Sequence, residues 1–366
     1  MSLNSVSEAV AAMAAGELVV VVDDDDRENE GDLILAASKA MPEQLAFMIR
    51  HTSGIICAPV TQELAERLQL SPMVETNRDP MRTAFTVSVD YREGLTTGIS
   101  AEERTNTLRA LANDNCIATD FLRPGHVFPL ISKTGGVLMR SGHTEAATDL
   151  TRLARLPQVG VLAEIVNDDG TVKRLPELIA FAREHDLKIV SIADLIEHRI
   201  RTETLVNRIE SRAIATPIGE AEVHVYTTPF DDIQHLAVAF GKVTGESAVP
   251  CRIHHEQPLR DLFEAPHSQR WLDLALTRFK AGGKGVLVYV RDPRITTLQR
   301  AAGSSGVDRH RSSQQRRERW REIGLGAQIL RNLGVSSITL IATQHRQYVG
   351  LAGFGIEIAA TEIVES

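Results

Sequence analysis

The chain is short of the residues that staple or anchor proteins. Its 366 residues hold three cysteines, Cys57, Cys116 and Cys251. They are odd in number and widely spaced, so they offer neither a disulfide framework nor a C-x-x-C metal pair. Aromatic residues make up 4% of the chain, and no apolar run approaches the ~20 residues that span a bilayer. The first residues, MSLNSVSEAVAAMAAGE, lack a basic segment followed by a long apolar one. They read instead as a helix with Ser7 near its N-cap, and no secretory leader is expected. The expectation is a soluble, cytoplasmic protein with no membrane partner. Basic charge is in deficit too: the formal net charge is −8, which argues against nonspecific nucleic-acid binding. The dense basic run from Arg309 to Arg321 reads as a solvated helix face. The length implies two domains.

What the chain does contain is concentrated between Val19 and Asp32, VVVVDDDDRENEGD. Leu18 to Val22 predicts a buried strand, because like charges crowd too closely in the following segment to lie on a pleat. Asp23, Asp24, Asp25, Asp26, Glu28, Glu30 and Asp32 then place seven acids within ten residues, interrupted by Arg27, Asn29 and Gly31. Carboxylates this close repel one another unless a cation shares the space. Hard divalent ions such as Mg²⁺ or Mn²⁺ take oxygen ligands, so the loop is either a metal site or a solvated acidic turn. The spacing is not that of an EF-hand.

Strand and helix patterns alternate through the first two hundred residues, predicting a mixed α/β (α+β) domain. Pro42 opens a helix that Gly54 closes, and Ile55 to Val60 reads as a buried strand carrying Cys57, whose residue type alone fits a packed thiol. Thr83 to Asp90 alternates as a strand. Ser100 and Glu103 form a capping box at the start of a helix on which Arg104 and Thr107 could reach an anion or simply serve the helix. Phe121 to His126 reads as a turn that presents His126, a candidate acid or base, beside the apolar run Val127 to Ile131. Val137 to Met139 is expected as a strand, followed by an amphipathic helix with Ala147, Leu150 and Leu153 or Ala154 inward. Its start, Ser141-Gly142-His143-Thr144, offers free N–H groups and a positive dipole end, and Arg140 adds a guanidinium fork. That is either an anion seat with His143 at its lip or ordinary capping by Thr144. Glu164 interrupts the apolar strand Val159 to Val166 and is a second candidate proton carrier.

In order along the chain, DDDDRENEGD (23 to 32), HTSGIIC (51 to 57), TTGISAEERTNTLRAL (96 to 111), RPGHVFPL (123 to 130), GGVLMRSGHTEAATDL (135 to 150) and IVSIADLI (189 to 196) resemble 3,4-dihydroxy-2-butanone 4-phosphate synthase of riboflavin biosynthesis. The resemblance implies conversion of ribulose 5-phosphate to a four-carbon ketone phosphate and formate, with Mg²⁺ or Mn²⁺, in a homodimer whose sites lie near the subunit interface. Carried over residue by residue, it makes Glu28 and His143 metal ligands and Arg27 and Asp32 substrate contacts. Arg140, Ser141, Gly142 and Thr144 match the phosphate-binding segment. His126 and Glu164 match positions essential to catalysis.

The chain turns polar between His198 and Val206, which places the domain boundary at 202/203: residues 1–202 and residues 203–366. From Val206 onward, VNRIES, VPCRIHHE, GVLVYVR, GLGAQILRNLGV and YVGLAGFGIEI resemble GTP cyclohydrolase II. That family holds a catalytic Zn²⁺ with three cysteines, and the matching positions here are Gln257, Ser268 and Arg270. An amide, a hydroxyl and a guanidinium cannot hold a tetrahedral Zn²⁺. The expectation is an active synthase followed by a structural or regulatory domain. The alternatives are a bifunctional enzyme whose second site uses other ligands, such as His254, His255 and His267, and a metal-binding protein without catalysis.

Overall fold

The structure, a computed structural model, describes residues 3–24, 27–229, 231–256, 261, 267–291, 324–342 and 355–363. The chain forms two compact units, Met1–His198 and Arg199–Ser366. The division after His198 lies at the start of the polar stretch and within a helix, since Ile192–Thr202 is helical throughout.

The first unit is built on a mixed sheet of seven strands. In chain order these are β1 Val19–Val22, β2 Gly31–Ala36, β3 Cys57–Val60, β4 Val89–Tyr91, β5 Phe121–Ile131, β6 Gly160–Glu164 and β7 Lys188–Ser191, arranged β4-β5-β3-β6-β2-β1-β7. Four consecutive valines make β1 apolar on both faces, and all four are buried. It runs antiparallel to β2 and parallel to β7. Burying a valine side chain contributes about 1.5–3 kcal/mol, so this strand is fixed in register, and the acids after Val22 must leave the sheet where it ends.

The helices of this unit are α1 Val6–Ala15, α2 Pro42–His51, α3 Gln62–Arg67, α4 Ala101–Leu111, α5 His143–Leu153, α6 Leu175–Glu184 and α7 Ile192–Thr202. Helix α1 is capped by Ser5, not Ser7, because Ser5 stands three residues before Glu8 and the two close a capping box. Helix α4 begins as expected, with Ser100 and Glu103 satisfying each other's backbone N–H groups.

Four local expectations are corrected. Residues 83–88 make isolated bridges, Phe85 to Leu130 and Thr86 to Pro72, and regular pairing begins only at Val89. Phe121 to His126 is the first half of the long strand β5 rather than a turn. Val137 to Met139 is not a strand: Gly135 and Gly136 both take positive φ, and the segment Gly136–Leu138 winds into a 3-10 turn tied down by Val137 N–H donating to Asp149 Oδ2 at 2.8 Å. Helix α5 is not half-exposed, since every residue from His143 to Thr151 is buried. Its small residues permit this: Ala147 packs so closely on Gly160 of β6 that a Cβ there would lie 2.7 Å from the alanine methyl.

The second unit also has a seven-stranded sheet, with strands β8 Asn207–Thr216, β9 Gly219–Thr228, β10 Asp231–Phe240, β11 Val249–His255, β12 Gly285–Val290, β13 Ser337–Ala342 and β14 Glu357–Ile363. Their order is β14-β13-β11-β12-β10-β9-β8. The β8-β9-β10-β12 side is antiparallel and the β12-β11-β13-β14 side parallel. Helix α8, His267–Gly282, buries Ala275 and Phe279. Phe279 stacks 5.4 Å from Phe240 and leaves room for nothing larger than glycine at Gly285, where a Cβ would meet its ring at 2.1 Å. Ala327, Ile329 and Leu330, on the helix over 324–332, are fully buried.

Candidate active site

The acids released at the end of β1 form a structured loop organised by Asp23. Its Oδ1 accepts the Glu30 N–H at 2.8 Å, and its Oδ2 accepts the Glu28 N–H at 3.1 Å and Arg27 Nη1 at 2.8 Å. Arg27 also pairs with the Glu28 carboxylate. Arg174 closes the far side by donating to the Glu28 and Asn29 carbonyls at 2.8 and 2.6 Å. Asp25 and Asp26 lie outside the described residues.

His143, the first residue of α5, reaches this loop from 120 residues away. One oxygen each from Asp23 and Glu28 and a ring nitrogen of His143 lie within 4.8 Å of one another. Among the described residues this is the one group of three such side chains close enough to share an ion. The imidazole is buried beneath Val21, whose carbonyl lies 3.2 Å from Nε2. Burial holds it below its ordinary pKa despite Asp23 and Glu28, and a neutral ring is the form that binds metal. Two carboxylates and one imidazole make a donor set that suits Mg²⁺ or Mn²⁺.

Strand register supplies the next two acids. Val21 of β1 stands opposite Asp32 of β2, which stands opposite Glu164 of β6. Directly opposed residues of antiparallel strands share a face, so the two carboxylates lie side by side. Asp32 is buried, and among the described residues its Oδ1 has no hydrogen-bond partner; His143 Nδ1 is 4.0 Å away. Burial, followed by Glu164, Glu28, Glu30 and Asp23, raises its pKa well above the usual carboxylate range. A buried carboxyl oxygen without a partner, aimed beside three metal donors, is what a site for a cation or an oxygen-rich substrate requires. Glu164 is half-buried and accepts the Ser53 hydroxyl at 2.7 Å. Cys57 lies under the same acids, and burial, with Glu164 and Asp32 adding to it, pushes its thiol far above the range in which it would ionise.

The start of α5 is an anion seat in geometry. Gly142, not Thr144, is the N-cap, with φ −112° and ψ 160°, and it supplies no side chain to the free N–H groups of the first turn. Ser141 Oγ is buried without a partner among the described residues. A Cβ at Gly142 would lie 2.4 Å from Arg140 Nη1, so glycine is required for the guanidinium to come this close. Thr144 is buried in the first turn.

His126 forms a pair of its own. Its Nδ1 lies 2.7 Å from Asp90 Oδ2, and its backbone N–H donates to Asp90 Oδ1 at 2.8 Å. Gly98, with φ +83°, sits against both groups; a side chain there would come within 2.3 Å of Asp90 and 2.6 Å of His126. No hydrogen bond or ion pair among the described residues joins this pair to Asp23, Glu28 or His143. Arg104 donates to the Gly54 carbonyl at 3.2 Å, and Thr107 is occupied by the Tyr91 N–H and the Glu103 carbonyl, so Thr107 serves the helix. Sequence reasoning had no separate role for Asp23 and missed Asp90. Asp23 was visible as the first acid after the strand, whereas Asp90 lies 36 residues from its partner with no local signal.

In the second unit Gln257 falls outside the described residues, and Ser268 and Arg270 are described only as backbone of α8. His254 is engaged in packing: its ring stacks on Trp271 at 3.8 Å and 7°, and Nε2 lies 3.0 and 3.1 Å from the two Asp261 oxygens. Cys251 is buried, and burial pushes its thiol up to about 12.

Hard donors at a strand end, beside a helix start shaped for an anion, mark a metal-assisted enzyme acting on a small phosphorylated substrate. Comparison with known proteins names the family. The sequence profile of 3,4-dihydroxy-2-butanone 4-phosphate synthase matches residues 7–198, and that of GTP cyclohydrolase II matches residues 207–364. Riboflavin biosynthesis protein RibBA of Bacillus subtilis is 42% identical, over 97% of this chain and 92% of the relative. The crystal structure of RibBX, a two-domain 3,4-dihydroxy-2-butanone 4-phosphate synthase from A. baumannii, matches 99% of this chain and 100% of that one, with 37% identity and a TM-score of 0.79. A synthase crystallised in complex with two magnesium ions is 45% identical, covering 55% of this chain and 98% of that one at a TM-score of 0.54. The chain belongs to the 3,4-dihydroxy-2-butanone 4-phosphate synthase family, and its first unit is a divalent-metal-dependent synthase of riboflavin biosynthesis. No helix among the described residues is long and apolar enough to cross a membrane.

Proposed function

We propose that the first unit converts D-ribulose 5-phosphate to L-3,4-dihydroxy-2-butanone 4-phosphate and formate, using Mg²⁺ or Mn²⁺ held by Asp23, Glu28 and His143. The convergence of those three side chains within 4.8 Å carries this reading. The substrate and the two products balance atom for atom, so no oxidant, reductant or net water is consumed. When bound, the ion supplies Lewis acidity to the vicinal sugar oxygens. Everything else falls to the chain. Arg140, Ser141, Gly142 and Thr144 at the start of α5 seat the phosphate. Arg27 and Asp32 contact the substrate beside the ion. Asp32 and Glu164, directly opposed across β2 and β6, place two carboxyl groups side by side for proton transfer to and from the substrate. Asp90 orients His126 for proton transfer at Nε2.

A homodimer fits the finding that, among the described residues, no hydrogen bond or ion pair joins His126 to the metal donors of its own chain. Ile55, Ile99 and Leu122, on segments adjoining the His126 pair, are exposed apolar residues (51%, 54% and 37%) that a second copy would cover. We further assign the second unit a structural or regulatory role, because residues 203–366 contain one cysteine, Cys251, where a three-cysteine zinc site would be needed. The match to the GTP cyclohydrolase II profile favours a second reading, a bifunctional enzyme with altered ligands.

One set of measurements tests all of this. Formate release from ribulose 5-phosphate should stop on chelation and return with Mg²⁺ or Mn²⁺, and light scattering should give twice the chain mass. Ribulose 5-phosphate left unconsumed in the presence of bound metal would contradict the synthase reading. Stoichiometric zinc with formate release from GTP would establish the second.

A further inference from the structure

The geometry points to Glu145 as the positioning residue for Arg140, so that the substrate phosphate is recognised by a guanidinium already locked in place. This rests on the reading that Arg140 belongs to the phosphate seat. Glu145 is 1% exposed, lies in the first turn of α5, and belongs to neither the metal donors nor the proton carriers. Both of its oxygens face donors. Oε1 accepts the Lys133 N–H at 3.1 Å and Oε2 accepts Arg140 Nη1 at 2.7 Å. The other amino group of Arg140 is directed by the Met81 carbonyl and Thr83 Oγ1, each at 3.3 Å. The Met81–Thr83 segment is itself closed by Thr83 N–H donating to Asp79 at 2.8 Å and by Asn77 donating to the Thr83 carbonyl at 2.9 Å. Arg140 is therefore gripped from two sides, leaving Nε and one Nη1 hydrogen for an incoming oxyanion. An arginine held in this way loses less side-chain freedom on binding phosphate than a free one.

The placement makes a prediction whose sign separates positioning from simple charge. Glu145 is a negative group next to an anion seat, so on electrostatics alone its neutralisation should tighten phosphate binding. If it positions Arg140, Glu145→Gln must weaken it. An amide has one acceptor for two facing donors, and its NH₂ would oppose either Lys133 N–H or Arg140.

The test uses the full-length protein and inorganic phosphate as the probe. For Glu145→Gln, KM for ribulose 5-phosphate and the inhibition constant of phosphate should rise together by about tenfold, with kcat within about threefold of the parent. Mn²⁺ binding, followed by electron paramagnetic resonance, should be unchanged. Glu145→Asp, which keeps the carboxylate, should recover part of the loss. In an Arg140→Ala background, Glu145→Gln should add less than about twofold, because its effect travels through Arg140. Tighter phosphate binding by Glu145→Gln, or an equal loss with and without Arg140, would overturn the positioning role. If Glu145→Gln does not fold, Glu145→Asp in the two backgrounds carries the same cycle. Unchanged phosphate inhibition in Arg140→Ala alone would remove Arg140 from the seat, and the role of Glu145 with it.

Discussion

The two units use the same quantity of sheet for different ends. Each has seven strands with a mixed parallel and antiparallel order, and each keeps the buried apolar residues that specify it. In the first, Asp32 Oδ1 and Ser141 Oγ, at a strand and beside a helix start, are buried without partners among the described residues. In the second, His254 is pressed flat on Trp271 and bound to Asp261. A fold does not by itself fix its chemistry. Core residues answer to burial, whereas site residues are tolerated at a cost in stability only while they work.

The sharpest way to break this comparison is to remove the donors of the first unit. Glu28→Gln or His143→Ala should lower formate release by about a hundredfold or more and abolish stoichiometric Mn²⁺ binding. Near-normal turnover in either variant would show that the three-donor cluster is not the metal centre. Asp90→Asn should have the next largest effect. His126 would lose the acceptor that fixes its Nδ1 proton, and kcat should fall by about tenfold to a hundredfold with metal binding intact. A drop in KM alone, at constant kcat, would place Asp90 outside proton transfer.

The second unit offers the converse experiment. Phe279→Ala removes a ring packed on Phe240 and Gly285, and should destabilise that unit by about 3–5 kcal/mol in a denaturant titration. If the unit is a module with its own core, kcat for the synthase reaction should not change at temperatures where it remains folded. Loss of synthase activity in step with unfolding of the second sheet would make it part of the working enzyme.

How much of this was legible depended on how local each signal was. Val19 to Val22 declared itself because four valines before a block of acids admit one reading. The capping box of Ser100 and Glu103 was equally plain, since both partners lie within one turn. The strand expected at Val137 to Met139 failed because two successive glycines at positive φ and a distant acid, Asp149, overrode three residues of β-forming propensity. Helix α5 looked amphipathic because its threonines, Asp149 and Glu145 are polar, yet Thr148 and Thr151 turn their hydroxyls back onto carbonyls of the helix, and Asp149 and Glu145 are buried with partners from other segments. For the same reason Arg140 stood out as a candidate phosphate ligand while Glu145, which pairs with it, did not. The pairing of Asp90 with His126 is set by β4 lying antiparallel beside β5, and no local pattern announces it.

The smallest effect expected concerns the loop above that pair, and it is a dependence on pH. Glu103 accepts the backbone N–H and the hydroxyl of Thr96 at 2.6 and 2.8 Å and the Ser100 hydroxyl at 2.8 Å. The backbone bond from Thr96 is foremost in holding its pKa well below the usual carboxylate range, followed by the two hydroxyls. A carboxylate depressed on folding stabilises the native state fully above its unfolded pKa, and the contribution is lost as pH falls through the folded value. Glu103→Gln should therefore lower Tm by a few degrees at neutral pH, and the gap to the parent should narrow as the solution is acidified below the ordinary carboxylate range. The carboxylate lies at the surface of the loop, so the difference should also be modest in high salt. Because the loop from Thr96 to Ser100 carries Gly98 against Asp90 and His126, the same variant should reduce kcat slightly while leaving Mn²⁺ binding untouched. A gap in Tm that widens on acidification would mean that the hydrogen bonds to Glu103 do not hold this loop.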